Sequence, residues 1–356
     1  MNSSHAELPA PGELGYRMPA EWEPHAATWL AWPHEKTDWP GKFAPIPWVY
    51  ADIVRRLSQV ERVRILVEDG DAENNVKRIL KKAGANLCAV DFFRIATNRG
   101  WTRDFGPIFV RNRKGETAVT NWRFNAWAKY DDWQKDNAVN DKLARKLKWR
   151  QWHPQFKGHR LVLEGGSIDV NGCGSLLTTE ECLLSALQAR NPGISREDLE
   201  LIFRNYLGVE QVLWLRNGIA GDDTHGHVDD LARFVNPSTV VTVIEGDSTE
   251  LNYQPLRENL ALLREMRDLS GQPFRIETLP MPAPVHFDGQ RLPASYANFY
   301  IANQIVLVPT FNDPHDALAL NKIAALFPGR TVFGIACLDL VLGLGTLHCM
   351  TQQEPG

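Results

Sequence analysis

What this chain of 356 residues lacks already narrows its class. It has five cysteines, Cys88, Cys173, Cys182, Cys337 and Cys349, and no two of them form a CxxC pair. An odd number spread over this length is no disulfide framework, and without CxxC a zinc ribbon is excluded. No apolar run reaches the roughly 18 residues that a membrane span requires. Met1–Gly12 has neither the basic nor the apolar region of a signal peptide. Excess positive charge is missing too: 43 acidic side chains against 39 basic ones leave a formal net charge of −4. That is unlike the basic footprint of a nucleic-acid binder, and it leaves room for a cleft lined with carboxylates. The expectation is a cytoplasmic protein with no membrane or nucleic-acid partner.

The chain also lacks low-complexity linkers and visible repeats. Its hydrophobic fraction of 44% is ordinary for a globular protein. Residues 1–16 are Pro-, Gly- and Ser-rich and read as a loosely ordered tail. From 17 to 356 strand and helix signals alternate without a break, which predicts one α/β domain. Strands are expected over Val63–Val67 and Leu87–Phe92. Between them a helix is expected to run to Ala83, N-capped by Asp71 and closed by Gly84. Pro107–Arg111 and Thr117–Trp122 flank a turn at Gly115 and read as a hairpin. Arg160–Leu163, Ser167–Val170 and Ser175–Thr178 are strand-like, the last two joined by the Asn171-Gly172 turn. Helices are predicted over Glu180–Ala189, Ser195–Leu207, Pro255–Leu269 and Asp316–Phe327. Further strands are predicted over Val212–Leu215, Val240–Glu245, Ile305–Val308 and Thr331–Ile335.

Four segments concentrate polar chemistry: Trp101-Thr-Arg-Asp104-Phe-Gly-Pro107, Leu163-Glu164-Gly-Gly-Ser167, Gly221-Asp-Asp-Thr-His-Gly-His227-Val-Asp229-Asp230 and Gly345-Thr-Leu-His-Cys349-Met-Thr-Gln-Gln353. If His227 and Asp229 lie on a strand, the two-residue period puts them on one face, where one carries protons and the other anchors a cation. The same segment also reads as a solvated loop, or as a His225-x-His227 metal site, although no Cys/His or Glu-x-x-His partner motif supports a metal. Cys88, Cys182 and Cys337 sit in apolar runs as small buried hydrophobes, and Cys173 falls in a turn. Cys349 differs. A glycine-spaced approach, Gly343-Leu-Gly345, precedes it and polar residues follow, so it reads either as a nucleophile or as one more buried thiol. Asp104 is equally a turn former, Glu164 equally a surface residue, and Trp101 either core or a flat wall for a cation.

Taken together, and joined by Met18-Pro-Ala-Glu-Trp-Glu-Pro-His25-Ala-Ala-Thr-Trp-Leu-Ala-Trp-Pro33 and Leu177-Thr-Thr-Glu-Glu-Cys-Leu-Leu184, these blocks resemble the agmatine deiminase and peptidylarginine-deiminase-like branch of the guanidino-group-modifying (pentein) enzymes. The likeness runs in order from about residue 18 to 355. It implies a five-fold pseudosymmetric α/β propeller. It also implies a cofactor-free, metal-free hydrolase for a small cationic guanidine, with Cys349 as nucleophile, His227 as general acid/base and Glu164 supporting the histidine. Asp104 and Asp229 would bind the guanidinium, beside the aromatic Trp101. Agmatine is the implied substrate. Free or peptidyl arginine and amidino transfer are the alternatives within the scaffold, and a metal hydrolase or a non-catalytic binding protein lies outside it. Departures occur at Gly343-Leu-Gly-Thr-Leu347, where a Gly-Gly-Gly-Asn-Ile run is common, at His225, where some members carry Asn or Asp, and at Cys173, where an acidic residue is frequent. An arginine-specific pocket would need a buried cation for the α-carboxylate. The twelve tryptophans leave a homodimer as a further expectation.

Overall fold

The structure, a computed structural model, describes residues 9–356. Five sheets of three or four strands repeat one connection. In each, a middle strand pairs antiparallel on one side, and the chain then crosses over through a helix to a parallel strand on the other. The middle strands are His25–Ala31, Thr117–Thr120, Ser175–Thr179, Thr239–Ile244 and Ile305–Thr310. Their antiparallel partners are Gln352–Pro355, Ile108–Asn112, Asp169–Val170, Ala232–Asn236 and Tyr300–Ile301. Their parallel partners are Arg62–Val67, Gln151–Trp152, Gln211–Leu215, Arg275–Pro280 and Thr331–Ala336. Four of the five middle strands are buried along nearly their whole length. Their Val, Leu, Ile and Thr runs therefore show little alternation, as expected of strands covered on both faces.

The crossover helices Ile46–Leu57, Val139–Leu147, Arg196–Leu207, Tyr253–Glu265 and Asp316–Leu326 each bury one apolar stripe. Ser195 caps the third of these as predicted, accepting from the Asp198 backbone N–H at 3.1 Å. The expected hairpin around Gly115 is present, as Ile108–Asn112 with Thr117–Thr120. Short segments lead from the last strand of one sheet into the antiparallel strand of the next, and these segments carry the unusual polar residues.

Several expectations shift. The helix Gly70–Ala83 is capped by Asp69, not Asp71, because the Asp69 carboxylate accepts from the Ala72 backbone N–H at 2.8 Å. Leu87–Ala89 is a 3-10 turn held by the Asn86 side chain, so the strand starts at Val90. The helix expected over Glu180–Ala189 stops at Leu184, and the freed chain carries Arg190 inward to Glu164. Gly165–Ser167 forms a 3-10 turn before the strand Asp169–Val170, and residues 161–163 lie outside any strand. His227 and Asp229 are not on a strand: Val228–Asp230 is a 3-10 turn with His227 at its N-cap. Cys88 is exposed rather than buried, while Cys182 and Cys337 are buried as expected. Of the tail expected over 1–16, residues 1–8 lie outside the described residues. From Pro9, whose carbonyl accepts from Trp152 Nε1, the chain is seated, and Tyr16 pairs with Asn112. Trp48 is the one exposed tryptophan among the described residues.

The capping assignment predicts an asymmetry between neighbours. Asp69→Ala should cost about 1 kcal/mol of stability, whereas Asp71→Ala should stay within about 0.5 kcal/mol. Urea unfolding midpoints of the two variants check this, and equal costs would contradict the cap.

Candidate active site

Four of the five sheet-entry segments bring the predicted residues to one place. Asp104 comes from the short helix Thr102–Phe105 and Glu164 from the position before Gly165–Ser167. His227 and Asp229 come from the turn before Ala232, and Cys349 from the turn before Gln352. All five are buried. The loop that presents His227 is held from within, since the Asp222 carboxylate accepts from the backbone N–H groups of Gly226 at 2.7 Å and His227 at 3.1 Å.

His227 stands between two carboxylates. Its Nδ1 is 3.7 Å from Asp104 and its Nε2 is 3.6 Å from Glu164. Neither ring nitrogen makes a hydrogen bond, so the pairing is Coulombic. Burial alone would favour the neutral ring. The Asp104 charge, then contacts with Cys182 and Glu164, outweigh it and hold the imidazole charged well above its usual range. Glu164 is kept ionised: burial opposes this, but Arg190 Nε reaches both carboxylate oxygens at 3.2 Å and His227 adds to it. Asp104 accepts from Trp127 Nε1 at 2.9 Å and from the Gly166 backbone N–H at 3.2 Å. Burial, followed by the negative charges of Asp229 and Glu164, still pushes it up to about 7 against the pull of His227.

Asp229 is held differently. Its Oδ2 lies 2.7 Å from His348 Nδ1, and the other ring nitrogen of His348 lies 2.7 Å from Glu21. Burial works against the Asp229 charge, but His348 wins and the carboxyl stays ionised below its usual range. Asp229 Oδ1 is buried with no partner. Glu21 in turn pairs with Arg103 at 3.1 Å and Arg233 at 3.0 Å. These cations, with His348, overcome its burial and hold it ionised.

Cys349 is pushed well above the usual thiol range by burial and by the charges of Asp229, Asp230 and Asp104. Its sulfur lies 3.7 Å from Asp229 Oδ2 and 3.1 Å from Asn298 Nδ2. It opens onto a cavity of about 580 Å³ walled by Trp101, Trp127, Asp104, Asp38 and Asp223. Trp101 packs on Trp39 with ring centroids 5.5 Å apart, so it is both core and wall. Arg99 is the one Lys or Arg among the described lining residues. It is already bound to Asp38 and, at 3.0 Å, to Asp132, with its guanidinium 4.7 Å from the Tyr130 ring centre.

Two metal-like groupings exist, and in each of them carboxylate oxygens are already taken by other side chains, while the His227 ring nitrogens and Asp229 Oδ1 are not. Glu164, Cys182 and His227 lie close together, as do Asp229, Asp230 and Cys349. Glu164 is taken by Arg190, Asp229 by His348 and Asp230 by Asn298. His225, the other half of the His-x-His pattern, turns to Ser185 Oγ at 3.2 Å and Glu181 at 3.6 Å, away from the carboxylates around His227.

The sequence reading missed Glu21, Asn298, His348, Arg190 and Trp127. Glu21 and His348 stand inside segments read for other residues and Trp127 lies outside all of them, and none of the three carries a spacing of its own. Asn298 had a usable signal: like Asp104, Glu164, Asp229 and Cys349, it lies just before the antiparallel strand of a sheet.

The chain is similar to known proteins over nearly its whole length. Residues 17–355 match the model of the Porphyromonas-type peptidyl-arginine deiminase family. A Legionella pneumophila relative is 37% identical over 353 residues, spanning 97% of both chains. The agmatine deiminase of Ectopseudomonas mendocina is 35% identical over 364 residues, 96% of each. The solved agmatine deiminase of Enterococcus faecalis superposes with a TM-score of 0.90 at 32% identity, covering 98% of both.

His227, Asp104 and Asp229 converge beside Gly166. A Cβ there would stand 2.6, 2.9 and 3.1 Å from their nearest polar atoms. Gly166→Ala should therefore lower kcat/KM at least ~100-fold while costing about 1–3 kcal/mol in stability. Steady-state kinetics and thermal melts read both, and an active Gly166→Ala chain would show that the three groups do not act on one ligand.

Proposed function

We propose that this chain, which belongs to the Porphyromonas-type peptidyl-arginine deiminase family, is an agmatine deiminase, a hydrolase that converts agmatine and water to N-carbamoylputrescine and ammonia. One observation carries the substrate choice. The cavity above Cys349 is lined by Asp38, Asp104, Asp223 and Asp288 against a single arginine. Arg99 is spent on Asp38 and Asp132, and Asp223 is held by Lys129 and the Tyr130 hydroxyl, which leaves Asp104 beside the sulfur and exposed Asp288 without a Lys or Arg partner among the described residues. Such a lining suits a molecule cationic at both ends. It offers no free partner to the α-carboxylate of arginine, whose burial unpaired would cost several kcal/mol. Curated relatives bearing the agmatine deiminase name over nearly the whole chain support the same reading.

The mechanism follows from the charges. A guanidinium entering between Asp104 and Asp229 donates charge-assisted hydrogen bonds from its planar N–H groups, the unpartnered Asp229 Oδ1 among the acceptors. Its positive charge offsets the carboxylates that disfavour ionisation, so Asp104 and the Cys349 thiol release their protons to solvent. The thiolate adds to the guanidinium carbon. His227, charged and held by Glu164, gives its proton to the departing nitrogen, and ammonia leaves. The carbon is then bonded to sulfur as an amidino-thioether. Neutral His227 takes a proton from water as the oxygen attacks that carbon. Collapse expels the thiolate, the remaining hydroxyl proton passes to solvent, and the ureido product forms. Water completes the cycle, which distinguishes hydrolysis from amidino transfer.

The wider expectations belong to the same proposal. Five sheets with one shared connection support a pentein propeller, in which 17–356 is the catalytic domain. No helix among the described residues is long and apolar enough to cross a membrane, which is compatible with a cytoplasmic place. Trp48 would be a natural centre for a homodimer contact.

Ammonia release with chelator present tests the reading. Agmatine should be turned over and free or peptide-bound arginine at least ~100-fold less efficiently, and Cys349→Ala should abolish release. Turnover that favours arginine, or that survives Cys349→Ala, would overturn it.

A second consequence is a coupled proton. Asp104 sits at about 7 in the free protein, and a bound cation lowers it. Binding therefore releases a proton between the lowered value and about 7, and affinity rises with pH up to about 7, then levels. Calorimetry of agmatine binding to Cys349→Ala in buffers of different ionisation enthalpy should show up to one proton released. Proton uptake would contradict the assignment.

A further inference from the structure

The deiminase chemistry requires a thiolate in a centre crowded with carboxylates, and the proposed mechanism leaves one neighbour of the sulfur without a task. Asn298 is fully buried and every hydrogen-bonding position of its amide is used. Its Oδ1 accepts from Thr346 Oγ1 at 2.8 Å, from the His348 backbone N–H at 3.0 Å and, more weakly, from the Cys349 backbone N–H at 3.4 Å. Its Nδ2 donates to Asp230 Oδ1 at 2.9 Å and to Cys349 Sγ at 3.1 Å.

This arrangement fixes which way the amide points. Two of the groups at Oδ1 are backbone N–H donors, so a flipped amide would set its NH2 against them and its oxygen against the Asp230 carboxyl. The donor must therefore face the sulfur. Thr346, His348 and Cys349 belong to the turn that presents the nucleophile, so one side chain both shapes that turn and donates to its reacting atom. The other polar side-chain contact of the sulfur is Asp229 at 3.7 Å, an acceptor that suits a thiol but repels a thiolate. Once Asp229 engages the guanidinium, the amide is the side chain left to stabilise the anion.

We propose that Asn298 is a catalytic residue: its locked amide donates a hydrogen bond to Cys349 Sγ and stabilises the thiolate at attack and again when the thioether collapses. The proposal rests on Cys349 being the nucleophile, but its test needs no substrate, so it can fail independently of the agmatine assignment. The same donor position would serve any guanidine, so Asn298 concerns rate rather than specificity.

The test is the pH dependence of Cys349 alkylation by iodoacetamide between pH 7 and 11, read on the Cys349 peptide by mass spectrometry, with exposed Cys88 and Cys173 as internal references. In Asn298→Ala the midpoint should move up by at least one pH unit, alkylation at pH 9 should slow at least tenfold, and kcat should fall at least 100-fold. A purely structural asparagine predicts the opposite. Its loss would loosen the turn, admit water and let the thiol relax towards an ordinary value near ~8.5, so alkylation would speed up. An unchanged or faster profile overturns the proposal. If Asn298→Ala does not fold, Thr346→Val decides. It removes the hydroxyl that locks the amide and leaves in place the Thr346 backbone N–H, which also donates to the Cys349 sulfur, so it should slow alkylation several-fold, while a native profile there overturns the proposal.

Discussion

Too many carboxylates are buried together in the centre of this protein, and the rest of the site is arranged around that constraint. Glu21, Asp104, Glu164, Asp229 and Asp230 are all nearly or wholly withdrawn from water. Ionised carboxylates in such a place are costly unless paired. The chain supplies pairing from the outside. Arg190 grips Glu164, Arg103 and Arg233 grip Glu21, and His348 bridges Glu21 to Asp229. Facing inward, pairing is incomplete: Asp104 is pushed up to about 7 and Asp230 well above its usual range, in each case first by burial. A centre built this way is short of one positive charge, and a planar cation supplies it. Substrate binding and thiol activation thereby become one electrostatic event, with no metal needed to explain it.

The fold explains how residues from distant parts of the chain reach this centre. Each of the five sheets is entered through a short, irregular segment, and each entry delivers one chemical group: Asp104, Glu164, the His227–Asp229 turn, Asn298 and the His348–Cys349 turn. Because these segments lead directly into buried antiparallel strands, their exits are fixed by backbone hydrogen bonds. Glycine completes the arrangement where a side chain would intrude, as at Gly166 between the histidine and the two aspartates. A rigid frame with irregular entries holds a site more accurately than long loops would.

Much of this was legible in the sequence, for physical reasons that also mark where legibility ends. Helices with local start and stop signals, such as Ser195 before Arg196–Leu207, were readable because caps are local chemistry. Asp71 was mistaken for the cap because Asp69 and Asp71 are equally good candidates by type, and only backbone geometry separates them. The helix after Thr179 was read too long because its end is set by a distant partner, Glu164, pulling Arg190 inward. His227 and Asp229 were identified by clustering of residue types, yet placed on a strand, since a 3-10 turn leaves no periodicity. Glu21 and His348 stayed invisible for a related reason: their importance lies in contacts between segments 119 and 327 residues apart. Only their placement behind Asp229 reveals it.

The central claim is that Cys349 attacks the guanidinium carbon and carries it through the cycle. The most direct measurement is an acid quench during turnover of agmatine, followed by mass spectrometry of the Cys349 peptide. The account predicts a transient addition to that cysteine equal to agmatine less ammonia, absent from the other four cysteines and lost on further turnover. A quenched enzyme that turns over while Cys349 stays unmodified at every time point, or an adduct on another residue, would contradict it.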